Sequence, residues 1–291
     1  MTDPASRRAA AALAATLLIW AYSWVVMKQA LAYAGPFDFA ALRYLLGAAT
    51  LFAVLLAARQ PLAPPPLWPT ALVGLAQTAA FQGLEQWALV DGGAGRVALL
   101  AYTMPFWAVA LAWPLLRERP ARAQGLGVAL AALGLACILE PWRGLGGARS
   151  SALAVGGGAA WALGTVLSKR LFQRHAVAPL NFAAWQMLIG ALALGAAALA
   201  VPQRPLQWTP ALLAALAYSV VVASSAAWAL WLFALRHLSA TVASLSSLGV
   251  PVFSVLLAWA ILGERPSPAE AAGIALVLLG LVAVNWRRRP V

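Results

Sequence analysis

The stretch that decides the fold is GVPVF at residues 249–253, which runs on to GERP at residues 263–266. It is an apolar segment with Pro251 in its middle, and it ends at an acidic residue, a basic residue and a further proline. The first half contains the same pattern as TMPFW at 103–107 and RERP at 117–120, and Pro105–Glu118 and Pro251–Glu264 are each 13 positions apart. A shift of 146 positions aligns the halves without a gap from 84/230 to 135/281. The chain is therefore a duplicated unit.

The composition indicates an integral membrane protein. Of the 291 residues, 63% are hydrophobic and 10% are charged, whereas a soluble domain carries about 25% charged residues. A membrane-spanning helix needs about 20 apolar residues, so the chain has room for roughly ten spans. The net charge of +12 is interpreted as loop residues facing anionic lipid, not as a nucleic-acid surface. Two histidines and one cysteine provide no metal cluster, and no cofactor is expected.

The apolar runs predict an all-α protein with two five-helix repeats, at residues 1–145 and 146–291. A proline-rich loop at 61–69 separates the second and third spans, because prolines remove backbone donors. The predicted spans cover residues 9–31, 39–58, 70–90, 96–116, 121–139, 152–172, 179–201, 211–235, 240–262 and 268–286.

The basic residues predict the orientation, because cytoplasmic loops carry an excess of lysine and arginine. With ten spans, 13 basic residues fall on the side of the termini and six on the other side, while Arg43 lies within a span. Both termini are therefore expected in the cytoplasm of a bacterium, with the protein in its inner membrane. Because each repeat has an odd number of spans, the repeats must insert in opposite orientations. We expect Glu118 and Arg287 on the cytoplasmic side, and Glu264 and Trp142 outside. Inverted repeats are typical of secondary transporters, whose binding site lies between the repeats.

Several motifs together resemble a known superfamily. They are WAYSW at 20–24 with Lys28 in the first span, Arg43 early in the second span, and the two proline segments with their Glu-Arg corners. This pattern resembles the drug/metabolite transporter (DMT) superfamily, specifically its ten-helix EamA-type members, and it extends over the whole chain. The resemblance is greatest to bacterial metabolite exporters, including the YddG-type amino acid exporters. One departure is that Gln186 stands in the second half where Arg43 stands in the first.

The resemblance implies a central cavity lined by the first four helices of each half, with the fifth and tenth helices packed outside. Family substrates range over amino acids, other small metabolites and cationic drugs. The partners expected from this are a small-molecule substrate and the lipid bilayer, with the protein a monomer or a homodimer.

Polar residues inside spans are costly and usually face a cavity or a partner. In the third span Thr78, Gln82 and Glu85 are spaced i, i+4, i+7, which predicts one helical face. The shift of 146 gives their repeat mates as Ser224, Trp228 and Trp231. A shared inward face is one interpretation, and polar contact between helices is the alternative.

Glu85 is the carboxylate deepest within a predicted span, and Lys28 and Arg43 are its candidate partners. The sequence allows a proton-coupling group or a buried structural ion pair. We favour the ion pair, because the repeat mate Trp231 provides no second carboxylate.

The remaining cavity candidates are aromatic, small or proline residues in the spans. Pro105 and Pro251 each free a backbone carbonyl one turn back, which must find a partner or line a cavity. Deep tryptophans suit stacking on aromatic or cationic groups. We expect a central space surrounded by Trp20, Trp24, Tyr102, Pro105, Trp161, Trp185, Trp228, Ser244, Ser247 and Pro251.

No catalytic motif is present: there is no HExxH and no glycine-rich loop with a phosphate-binding lysine, so the chain is not expected to be an enzyme. The sequence predicts a secondary transporter that exports small metabolites by alternating access, with amino acids, aromatic ones included, as leading substrates. The alternatives are efflux of drug-like organic cations and a channel-like membrane protein without alternating access.

Overall fold

The computed structural model describes residues 4–116, 122–139, 147–227, 230–231, 233–234 and 249–285, and every regular element within them is helical. Two short π-helical segments continue α3 and α10, at Gly74–Ala80 and Tyr218–Ala226. The α-helices are α1 Pro4–Ala30, α2 Pro36–Ala57, α3 Leu67–Val73, α4 Phe81–Asp91, α5 Ala94–Ala101, α6 Met104–Leu116, α7 Arg122–Leu139, α8 Ala148–Arg174, α9 Pro179–Ala200, α10 Pro210–Ala217, α11 Gly249–Leu262 and α12 Pro268–Asn285.

These helices form membrane-spanning segments. Five stretches in the described part of the chain are long and apolar enough to cross a bilayer, and four shorter apolar helices accompany them. The tenth segment is the third span, in which α3, the first π-helical segment and α4 follow one another without a loop. The all-helical membrane fold expected from the sequence is confirmed. The repeat boundary expected at 145/146 and the corner at Glu118 lie outside the described residues.

The contacts between repeat mates show the inverted arrangement. The fifth and tenth spans, α7 and α12, pack mainly against each other. A Cβ built on Gly134 would lie 2.7 Å from the carbonyl oxygen of Gly273, and one on Gly280 would lie 2.7 Å from that of Gly127. The earlier residue of α7, Gly127, contacts the later residue of α12, Gly280, so the two helices are antiparallel. Since Gly127 and Gly134 are the repeat mates of Gly273 and Gly280, a two-fold axis perpendicular to the helices relates the halves.

The second spans of the two halves, α2 and α9, pack in the same way. A Cβ built on Gly47 would meet the Met187 side chain at 2.6 Å, and the Phe52 ring lies 5.5 Å from the Trp185 ring. Further contacts join α1 with α11 and α8 with α6, and each of these pairs joins the first span of one half to the fourth span of the other. Small residues at such crossings let helix backbones approach closely, which is how membrane helices associate.

Two features differ from the predicted regular spans. The fourth span, predicted as one helix over 96–116, breaks at Tyr102 and Thr103 between α5 and α6. Pro105 explains the break, because it offers no N–H to the carbonyl of Ala101. The third span of each half contains a π-helical segment, at 74–80 and 218–226. The shift of 146 places the two segments at equivalent positions, and such segments are frequent at functional sites.

Candidate functional site

Trp20 and Trp161 lie between the halves, and each stands in the first span of its half eight positions before a lysine, Lys28 or Lys169. The Trp20 ring is 5.6 Å from the Trp231 ring, and its Nε1 donates a hydrogen bond to the carbonyl of Ala223 at 3.1 Å. The Trp161 ring is 4.8 Å from the Phe81 ring. In both cases the first span of one half contacts the third span of the other half. Trp20 and Trp161 are therefore related by the two-fold axis, and both stay partly exposed.

Trp185 and Trp24 do not join this pair. Nε1 of Trp185 donates a hydrogen bond to the carbonyl of Leu62 at 3.0 Å, which connects α9 to the proline loop. Trp24 is 7% exposed and belongs to the largest apolar core. Both expectations are therefore corrected: Trp185 lies at the α2–α9 contact, and Trp24 is a packing residue. Trp228, Ser244 and Ser247 lie outside the described side chains.

The break in the fourth span lies where the halves meet. Tyr102 packs against two apolar clusters, one of which also includes Trp20 and Trp231. The carbonyl of Ala101, left without its helical donor by Pro105, lies against α8, where a Cβ built on Gly158 would be 2.9 Å from it. In transporters, broken helices of this kind surround substrate sites.

Pro251 lies at the equivalent point of the second half. It is buried near the start of α11. Three residues later Ser254 donates to the carbonyl of Val250 at 2.8 Å and reaches that of Ala21 at 3.4 Å. This proline region thus packs against α1.

A polar face on α4 is buried with five of its polar atoms unpaired. Gln82, Glu85 and Gln86 are spaced i, i+3, i+4 and are 6%, 1% and 0% exposed. Both carboxylate oxygens of Glu85, the Oε1 atom of Gln82 and both terminal atoms of Gln86 have no hydrogen-bond partner. Buried polar atoms are paired in the great majority of cases, so five unpaired atoms on one face are unusual. We call these three residues the Glu85 face.

Glu85 fits there because α8 carries a glycine opposite it. A Cβ built on Gly157 would lie 2.2 Å from Oε1 of Glu85, so alanine at 157 would collide with the carboxyl group. An isolated ionised carboxylate in an apolar interior costs several kcal/mol or more, and the neutral acid avoids that cost. The enclosed geometry therefore suits the uncharged form.

The predicted ion pair does not form. Nζ of Lys28 donates to the carbonyls of Leu89 at 2.6 Å and Gly92 at 3.0 Å. Lys28 thus satisfies the free carbonyls at the end of α4. A guanidinium N–H of Arg43 donates to Sδ of Met27 at 3.0 Å, and the guanidinium lies over the ring of Tyr44. Each cation finds acceptors on nearby backbone or side chains, so neither needs to reach Glu85.

Thr78 does not share the Glu85 face. Its hydroxyl donates to Oε1 of Gln186 on α9 at 2.7 Å, so it makes the polar helix–helix contact that was the alternative interpretation. Thr78 lies near the end of the π-helical segment, whose wider turn rotates the residues before α4 relative to those on it. The prediction of one shared face assumed a regular α-helix and was therefore wrong for Thr78. Ser224, its repeat mate, donates to the carbonyl of Ser219 at 2.8 Å within the second π-helical segment.

The corner that identified the repeat joins the halves at one end of the bundle. Oε1 of Glu264 accepts the N–H of Ala94 at 2.8 Å, and Oε2 accepts that of Gly95 at 3.1 Å. These are the first free N–H groups of α5, where a helix favours negative charge. Next to them, Arg96 pairs with Glu270 at 3.1 Å. We call the pair of bonds to Glu264 the Glu264 clasp.

A cavity of about 420 Å³ opens at the same end of the bundle. It lies between the start of α2, the end of α4 and the loop after α9. Lys28 and Arg204 are the charged residues among its lining side chains, and both are cations. Arg204 also donates to the carbonyl of Ala32. The cavity thus presents positive charge without a carboxylate among its lining residues.

Sequence reasoning missed Gln86 and Gly157. Gln86 follows Glu85 directly and stands four positions after Gln82, so the helical period alone would have placed it on the same face. Gly157 lies in the glycine run at 156–158, but no pattern signals that its missing side chain accommodates an acid from another helix.

Comparisons with known proteins agree with this fold. The model of the EamA-like transporter family matches twice, at residues 7–140 and 149–286. A protein of Salmonella typhimurium described as a "Probable amino-acid metabolite efflux pump" is 28% identical over 91% of this chain and 90% of its own. The "Uncharacterized transporter YoaV" of Bacillus subtilis is 25% identical, with 91% and 92% covered. A solved crystal structure has a TM-score of 0.65 at 22% identity, with 97% of this chain and 99% of that chain covered, which shows a shared fold.

Proposed function

Because the chain belongs to the EamA-like transporter family, we propose that it is a secondary transporter that exports small metabolites by alternating access. Amino acids, aromatic ones included, are the leading substrates. The Salmonella relative is described as an amino-acid metabolite efflux pump, which supports this class. We further propose that the protein lies in a bacterial inner membrane with both termini in the cytoplasm.

The cavity at the Glu264 end is the observation that carries the substrate class. Its lining residues include Lys28 and Arg204 and no carboxylate. A site lined by one sign of charge concentrates ligands of the other sign. A substrate that leaves through this cavity therefore benefits from a carboxylate, which amino acids carry and simple organic cations lack.

The aromatic rings between the halves support aromatic side chains among the substrates. Trp20 and Trp161 stay partly exposed, as does Tyr102 at the helix break. Aromatic pairs contribute about 0.5–1.5 kcal/mol beyond the area they bury. The rings therefore offer a stacking surface on each side of the two-fold axis.

Counterflow in proteoliposomes tests the proposal with radiolabelled L-phenylalanine, L-leucine and tetraphenylphosphonium. We expect exchange of both amino acids. Trp161→Ala should weaken the apparent affinity for L-phenylalanine about fivefold, since a stacking contact contributes about 1 kcal/mol, and should change that for L-leucine less.

Trp185→Ala is the matched control, because the Trp185 ring packs on Phe52 at the α2–α9 contact and its Nε1 donates to the carbonyl of Leu62, whereas Trp161 packs on Phe81. It should affect both amino acids equally. The proposal fails if neither amino acid exchanges, or if the two tryptophan variants behave alike.

Efflux of drug-like organic cations is a second candidate, and Glu85 favours it. A buried carboxylate without a hydrogen-bond partner attracts an organic cation. Exchange of tetraphenylphosphonium without exchange of amino acids would establish this candidate in place of the first.

A further inference from the structure

We propose that the Glu85 face is the coupling site of this transporter, where the carboxylate of Glu85 binds one proton in alternation with the ammonium group of the substrate. The inference rests on the proposed function and extends it, because it names the energy source and the group that uses it. It predicts exchange of one proton for one amino acid.

The first argument is the combination of burial and missing partners. A structural polar cluster pairs its members with each other, because unpaired buried groups are costly. The Glu85 face does not: five of its polar atoms have no hydrogen-bond partner although the three side chains are at least nine-tenths buried. The Gln86 amide can donate to a carboxylate, and the amide oxygens of Gln82 and Gln86 can accept from an ammonium group. The face therefore has the donors and acceptors of a binding site that awaits a ligand.

The second argument concerns the charged groups on every element packed against α4. Three cations at the Glu264 end, one on each of three elements packed against α4, are engaged elsewhere: Lys28 of α1 binds carbonyls, Arg149 of α8 pairs with Asp91 at 3.7 Å, and Arg96 of α5 pairs with Glu270. The other cations on α8 lie at least 12 residues beyond Gly157, about 18 Å along the helix. The charged and titratable groups that α2 contributes to this side are Asp38, Arg43 and Tyr44.

None of these groups hydrogen-bonds to the Glu85 carboxylate. Among the described residues, no hydrogen-bonded group therefore compensates its charge, and we take the compensating charge to come from solution. A proton and a substrate ammonium each supply one positive charge, so either allows the bundle to close around Glu85, and an empty carboxylate does not.

The exchange then follows from charge balance. With the site open to the cytoplasm, the carboxylic acid releases its proton and the carboxylate binds the ammonium group. With the site open to the other side, one proton binds the carboxylate, the ammonium group leaves, and no electrons are transferred. Since Trp231 occupies the equivalent position in the second half and packs on Trp20, the described structure provides one such carboxylate, which sets one proton per substrate.

Infrared spectroscopy of the purified protein tests the neutral acid without any substrate. At pH 7 we expect a carbonyl stretch of a protonated carboxylic acid that disappears in Glu85→Gln. Asp91→Asn is the matched control, because it removes a half-exposed carboxylate from the same helix, and it should keep the band. A wild-type spectrum without this band, or a band that survives in Glu85→Gln, would overturn the proposal.

Transport in proteoliposomes tests the exchange. For wild type and Glu85→Asp, the apparent affinity for L-phenylalanine should fall up to about tenfold per pH unit as the medium is acidified through the titration of Glu85. A pH gradient should drive accumulation. Glu85→Gln should bind L-phenylalanine more weakly, without pH dependence and without accumulation.

The outcomes separate the two proposals. If wild type exchanges L-phenylalanine but neither pH nor Glu85→Gln changes the exchange, the coupling site is refuted and the transport function stands. If wild type exchanges no amino acid, the proposed substrate class fails, and the infrared result still decides whether Glu85 holds a proton.

Discussion

Replacement of Glu264 by alanine should open the Glu264 end of the bundle. The clasp joins the corner after α11, in the second half, to the first turn of α5, in the first half. Alternating access requires the halves to separate at one end at a time. A contact that crosses between the halves at one end therefore favours the closed state of that end.

The size of the effect follows from the two bonds. A hydrogen bond to a charged group contributes about 1.5–3 kcal/mol, and the partial exposure of Glu264 reduces this. We expect a total loss of about 2 kcal/mol, which is a shift of roughly 30-fold toward the open state. Glu264→Gln keeps one acceptor oxygen and should shift the equilibrium by an intermediate amount.

The assay is the rate at which a maleimide fluorophore labels a buried cysteine. Ser151 is a suitable reporter, because it lies in the first turn of α8, is 1% exposed and has a hydroxyl without a partner. Ser151→Cys therefore removes no hydrogen bond. In detergent, with Cys137→Ala to remove the native thiol, labelling should accelerate in the order wild type, Glu264→Gln, Glu264→Ala.

Asp91→Asn is the control for loss of a carboxylate at the same end. Its bond to Arg149 is 3.7 Å long, and both side chains are more than half exposed, so the pair contributes little. The labelling rate of this control should stay within about fivefold of wild type, since exposed pairs contribute about 0–1 kcal/mol. An unchanged rate in Glu264→Ala would show that the clasp does not hold this end closed.

Two further predictions concern packing and orientation. Gly280→Ala should lower the midpoint of thermal unfolding in detergent, since its Cβ would lie 2.7 Å from a backbone carbonyl of α7. Gly125→Ala is the control: its Cβ would have nothing within 4 Å, so the midpoint should stay unchanged or rise. Equal shifts in the two variants would contradict the close crossing. In intact cells, with Cys137 replaced, a membrane-impermeant maleimide should label a cysteine at Arg265 and not one at Arg59 in the proline loop, and the reverse result would invert the proposed topology.

The fold was predictable because two simple constraints act on this sequence. Apolar run length determines the spans, and an odd number of spans per repeat requires inversion. The antiparallel crossing of α7 and α12 through Gly134 and Gly273 follows from both. The local helix geometry was not predictable in the same way. A π-helical turn leaves no clear signal in residue type, and it moved Thr78 away from the face expected of it.

The ion pair was wrong for an instructive reason. Sequence reasoning joined the charges of opposite sign within reach, Glu85 with Lys28 and Arg43. Backbone carbonyls compete for cations at helix ends, and the carbonyls of Leu89 and Gly92 bind Lys28. Every chain has backbone carbonyls, so a sequence gives no sign of which carbonyls will bind a given cation. Burial had to be read from the structure before Glu85 could be recognised as unpaired.

The repeat predicts where the two halves agree, and the proposed substrate site depends on where they differ. Trp20 and Trp161 agree, so each half contributes a ring to the space between them. Glu85 and Trp231 differ, so one half contributes an acid where the other contributes a further aromatic ring. A symmetric frame has two equivalent ends and can open at either. In the proposed exchange, a single carboxylate within that frame is the coupling group of both open states, as an exchange of one proton for one substrate requires.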